Sequence, residues 1–201
     1  MKNILCFLFL ILIGCNKSEC GKNVNTENSA AKKVSYNGFL RSVKNKSETE
    51  KKNYFFNFIN YDVPNYWIGT PWSFNGTTRN PQQESIACGY FVTNTLSDFG
   101  FNINRTYLAQ QASSVMIKKL CKDIQHFTKR QDLEHYILKK DKNQVYIVGL
   151  DFHTGFITRE NKDIYFIHSS YIKSKGVVKE LTATSPALNA SETFMIGTLN
   201  Y

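Results

Sequence analysis

The chain has 201 residues, 14% of them aromatic, and a formal charge of +9. That length suits one domain of ordinary size. The basic balance suits an anionic surface such as lipid headgroups or cell wall, and no basic stripe interleaved with stacking aromatics accompanies it, which sets nucleic acid aside as a partner.

Met1-Lys2-Asn3 is a short cationic start, and Ile4 to Ile13 is an unbroken apolar run. A bilayer span needs roughly 20 apolar residues, so the run fits the core of a secretory signal instead. It ends in Leu12-Ile13-Gly14-Cys15. Small or apolar residues leading into a cysteine resemble the bacterial lipobox. That resemblance implies removal of residues 1–14 as a signal peptide, with Cys15 as the lipidated first residue. Its acyl chains would anchor the protein to a membrane without embedding it. Asn16, in place of an inner-membrane retention Asp, favours the outer membrane, where the periplasmic side is expected rather than the cell surface.

Residues 15–52 are rich in Asn, Lys, Ser and Glu and read as a flexible tether, although Phe39, Leu40 and Val43 have the spacing of a turn or two of amphipathic helix. Aromatic residues then crowd in from Tyr54 to Trp67, marking residues 53–201 as the folded domain. Periodicity predicts helices over Ser85–Phe99, Thr106–Leu120 and Asp132–Lys139, with Gly100 as a C-terminal stop. It predicts strands over Val145–Asp151, His153–Thr158, Asp163–His168, Gly176–Leu181 and Phe194–Leu199. Helices first and hairpin-linked strands afterwards indicate an α+β domain with an antiparallel sheet.

With Cys6 removed with the signal and Cys15 lipidated, Cys20, Cys88 and Cys121 remain. Three thiols allow at most one bridge, and their spacing makes no metal knuckle. A free thiol in an exported chain needs a reason. Cys88 is expected at a helix N-terminus, where the dipole favours a thiolate and its own N–H can face an oxyanion. Gly89 would let a substrate come close. If Arg159–Lys162 is a tight turn pairing 158 with 163, then His153 stands opposite His168, with Cβ atoms about 4.5–5.5 Å apart. One imidazole could then act as general base and the other orient it. A register shifted by two keeps them diagonal neighbours; a shift of one separates them. His126 and His135 read as surface residues.

Several segments resemble NlpC-type cysteine peptidases, a papain-like family. Ile86-Ala87-Cys88-Gly89-Tyr90-Phe91-Val92 is similar to their nucleophile segment, His153-Thr154-Gly155-Phe156-Ile157 to the strand of their first histidine, Phe166-Ile167-His168-Ser169-Ser170 to that of the second, and Gly176-Val177-Val178 to the strand that follows. Upstream, Pro71 to Thr77 is similar to their aromatic-rich glycine stretch. The resemblance implies helices carrying the cysteine packed on an antiparallel sheet carrying the histidines. It implies Cys88 as nucleophile, His153 as base, His168 as orienter, and peptidoglycan peptides as substrate. Ala87 stands where relatives have an Asp that helps bind a free amino terminus. Trp72 aligns with an oxyanion-assisting Tyr, and Tyr66 is the other candidate for that role.

The leading expectation is therefore a cell-envelope amidase or endopeptidase without a cofactor. A different amide or thioester substrate, or a non-catalytic surface-binding lipoprotein, are the competing readings. Zinc on Cys88, His153 and His168 is disfavoured, because no acidic partner is spaced with them and Asp151 should face away.

Overall fold

A computed structural model describes residues 34–199 and residue 201. The signal segment, Cys15, Cys20 and the first half of the expected tether lie outside the described residues.

The second half of that tether is helical. Helix α1 spans Tyr36–Lys44 and α2 spans Glu48–Asn57. Ser35 caps the first by accepting from the Gly38 amide, and Ser47 with Glu50 forms a capping box on the second. The domain therefore begins near residue 34, not residue 53. The physical reason is the 36–40–43 spacing: Tyr36, Leu40 and Val43 make one stripe, and all three are buried. The polar residues that suggested a tether occupy the other faces of these helices.

A π-helical turn, Phe58–Asp62, joins α2 to α3 (Val63–Trp67). Their aromatic side chains form the interior of a helical layer with α4 (Cys88–Phe99), which stops at Gly100 with φ +124°. The single helix expected over 106–120 is two, α5 (Arg105–Ala109) and α6 (Ser113–Leu120). The break lets them serve two surfaces: α5 packs on α4, and α6 packs on the sheet.

The sheet has six strands in the order β1-β6-β2-β3-β4-β5, every pair antiparallel. The strands are β1 (Cys121–Phe127), β2 (Val145–Gly149), β3 (Thr154–Glu160), β4 (Asp163–Ser170), β5 (Gly176–Leu181) and β6 (Phe194–Leu199). The fold is α+β. Edge strand β1 was not foreseen, because its apolar residues recur every third position. A register shift between Lys122 and Gln125, with Asp123 at φ +49°, breaks the period of two. Phe156, Ile167 and Val177 face the α1–α4 layer. Ile157, Ile164 and Phe166 face the opposite way, toward α7 (Arg130–Leu138) and α8 (Pro186–Asn189).

Candidate active site

Cys88 is the first residue of α4. The segment leading into it is pinned from three directions. The Ile86 amide donates to the Pro71 carbonyl, the Ala87 amide donates to the Gly76 carbonyl, and Ser169 Oγ donates to the Ile86 carbonyl at 2.7 Å. Ser169 adjoins His168 on β4, so the strand that carries one histidine also holds the approach to the cysteine.

The β3–β4 turn is tighter than the sequence suggested. Glu160 pairs with Asp163, leaving only Asn161 and Lys162 between the strands. The register is shifted by two residues from the expected one, and His153 and His168 are diagonal rather than opposed. Gly155 occupies the position opposite His168. A Cβ there would lie 2.6 Å from His168 Cβ and 2.7 Å from a Phe166 ring carbon. The missing side chain leaves His153 room to reach across, and its Nε2 lies 2.6 Å from His168 Nδ1. The rings meet edge-on at 77°, and His168 stacks on Phe166 with ring centres 3.9 Å apart.

Glu180 on β5 completes the array and was missed by sequence reasoning. It is two residues from Val178, the partner of His168, and so shares a sheet face with that histidine. Its Oε1 lies 3.1 Å from His168 Nε2 and accepts from Ser185 Oγ at 2.6 Å. The one available signal was register arithmetic across β4 and β5.

These contacts impose a direction. Glu180 is held below the usual carboxylate range by His168 and Ser185, against the opposing effect of burial. An ionised carboxylate only accepts, so His168 Nε2 carries the proton it donates. With His168 neutral, its Nδ1 must accept, and His153 Nε2 must donate. The lone pair of His153 is thereby left on Nδ1, which makes no hydrogen bond among the described residues.

Burial pushes the His153 pKa well below its ordinary 6.5, and the neighbouring His168 adds to that effect. Burial also lowers His168, against the raising influence of Glu180. Both rings are neutral at neutral pH. The expectation of a resting thiolate is corrected too. Burial pushes the Cys88 thiol above its ordinary 9.0, outweighing the backbone N–H groups of Thr154, Gly89 and Cys88 that face the sulfur. The resting pair is thiol and imidazole.

Cys88 opens a helix on one face of the sheet, while the imidazoles stand on the other. They come together at the end of β3, because His153 lies one residue ahead of that strand and the Thr154 amide faces the sulfur. Cys88 and His153 line two cavities in common, of about 670 Å³ and 230 Å³. No hydrogen bond joins sulfur to imidazole; the two residues meet only as walls of the shared cavities.

The remaining sequence candidates divide. Trp72 lines the larger cavity, with its ring 6.3 Å from that of Tyr171. Gly89 also lines it, but a Cβ there would fall 2.4 Å from the Ala109 carbonyl oxygen. The glycine is required by the α4–α5 approach rather than by a substrate. Tyr66 is not at the site: it stacks on Phe39 and donates to the Val34 carbonyl at 3.2 Å, within the α1–α3 aromatic cluster. His126 and His135 are exposed. Among the described residues no group of three or more His, Cys, Asp or Glu stands where it could hold a metal ion, and no helix is long and apolar enough to cross a membrane. Compared with known proteins, the chain matches no family model, no curated protein and no solved structure.

Proposed function

We propose that the chain is a cysteine-dependent amidase or endopeptidase that works through an acyl-enzyme on Cys88. The observation that supports this most is the one-way hydrogen-bond array from Glu180 through His168 to His153, which leaves a lone pair on Nδ1 of a residue lining the same cavity as Cys88. The papain-like arrangement expected of NlpC-type peptidases, a cysteine starting a helix and histidines on an antiparallel sheet, is consistent with this reading.

In the proposed reaction His153 Nδ1 takes the Cys88 proton as sulfur attacks the carbonyl carbon. The oxyanion accepts from the Cys88 N–H, which as the first in its helix has no intrahelical partner. The imidazolium formed on His153 is held by its bond to His168, whose other nitrogen stays on Glu180. His153 then protonates the departing amine and later activates the water that releases the acyl group.

Peptidoglycan stem peptides are the substrate favoured by the export signal, the lipidation sequence and the family resemblance, with the protein held by lipid in the cell envelope. The test is digestion of purified sacculi, with products identified by mass. The native chain is expected to release peptides, and Cys88→Ala to release none while retaining its thermal transition. Equal release by the variant would overturn the reading.

A further inference from the structure

The proposed hydrolase site carries information about what it accepts. Among the described residues lining the larger cavity, none is an Asp, Glu, Lys or Arg. Beside Cys88 and His153 five lining residues are aromatic, Trp72, Phe74, Tyr90, Phe152 and Tyr171, and the polar ones carry only neutral amides or a hydroxyl. Tyr171 lies edge-on to the His153 ring, with centres 5.1 Å apart, and Trp72 lies beyond it. Trp72 and Tyr171 thus form an aromatic run that ends at His153. Phe74 and Phe152 are 82% and 95% exposed, so apolar surface stands at this cavity for a ligand to cover.

We infer that the larger cavity binds the acyl half of the substrate, and that this acyl group is uncharged and apolar. The inference rests on the reading of Cys88 as nucleophile. A cavity of about 670 Å³ falls within the range of small-molecule sites. An ammonium or carboxylate entering it would lose water without gaining a counter-charge. The smaller cavity does include one carboxylate, Asp151, but both its oxygens are engaged by Thr193 and the Glu192 amide. A substrate whose reacting acyl group bears a free amine or acid fits this wall poorly; a neutral alkyl or aryl acyl group, joined as an amide or thioester, fits it well.

Three thioesters of N-acetylcysteamine test this with matched length: hexanoyl, 6-aminohexanoyl and adipoyl. The full chain is expected to hydrolyse the hexanoyl compound with a kcat/KM about 30-fold or more above either charged one, the discrimination a site without a counter-charge imposes. Gln111→Glu, a near-isosteric change at a half-buried residue lining both cavities, is expected to raise the 6-aminohexanoyl compound about 5-fold or more relative to hexanoyl. Cys88-dependent turnover that favours a charged acyl group, or ignores charge, overturns the acyl inference and leaves the nucleophile standing. The same holds if the chain cleaves sacculi but none of the three thioesters. No Cys88-dependent turnover of thioester or sacculus overturns both.

Discussion

Strands β3, β4 and β5 carry a polar network on each face, and the two are built to opposite ends. On the face toward the N-terminal helices, Thr158 donates to the Asn60 side chain at 2.6 Å, while Lys179 Nζ reaches Glu160 at 2.6 Å and the Asn60 carbonyl at 3.0 Å. Asn60 in turn donates to Glu160. Ammonium and carboxylate neutralise each other, and the buried amide fills the remaining positions. On the other face His153, His168, Glu180 and Ser185 form a chain with one carboxylate and, among the described residues, no hydrogen-bonded cation, Lys175 acting on it only through its charge. Its last atom, His153 Nδ1, makes no hydrogen bond among the described residues. A polar network that closes on itself holds two layers together; one that ends on an acceptor in a cavity shared with a thiol can move a proton.

That contrast can be broken by substitution. The largest effect is expected from His153→Ala, which should lower kcat/KM about 10³-fold in a Cys88-dependent assay while leaving the fold in place. Asn60→Ala should do the reverse. Activity should stay within about 2-fold, but stability should fall by about 1–3 kcal/mol, because Thr158 loses its buried partner. A thermal scan should show a lower midpoint by about 3–10 °C. Loss of activity without loss of stability in this variant would erase the distinction between the two faces.

Acid should also separate the faces. The unfolded histidines bind protons near 6.5, whereas the folded ones resist to lower pH. Their contribution to stability is complete above 6.5 and is lost as pH falls toward the folded values, with a slope of up to about 1.4 kcal/mol per pH unit for each ring. Denaturant midpoints measured downward from pH 7 should trace this loss, and His153→Gln should flatten part of it. Activity is expected to run on a plateau across neutral pH, with its acid limb below 6.5 and any thiol limb above 9.0.

Glu180→Gln is a finer test of direction. The amide oxygen can still accept from His168, so the geometry survives, but the charge that raises the His168 pKa is gone. We expect a fall of about 10-fold in kcat with little change in KM, and an acid limb moved further down. An unchanged pH profile would reduce Glu180 to packing. The smallest effect is expected from Tyr66→Phe, which removes an exposed hydrogen bond to Val34. It should leave turnover unaffected, as befits a residue outside the cavity.

The sequence by itself determined the class of fold, a helix with Cys88 near its N-terminus, though begun three residues early at Ser85, and the common sheet face of the two histidines. The helix follows from the 3.6-residue repeat of Val92, Leu96 and Phe99, and the shared face from the parity of the hairpin that joins the two histidine strands. Even the two-residue error in the hairpin register preserved the face, because a shift of two leaves side-chain parity unchanged. Tertiary structure alone decided the rest. It set Glu180 against His168 across a third strand, and it used Gly155 as the gap through which the rings touch. It set enough protein around the half-buried Cys88 to push its thiol up against the backbone N–H groups that face the sulfur, and it drew Tyr36, Leu40 and Val43 into the core from a segment of disordered composition. All four outcomes depend on what lies beside a residue in space, and neither composition nor spacing along the chain carries the distances and desolvation that decide them.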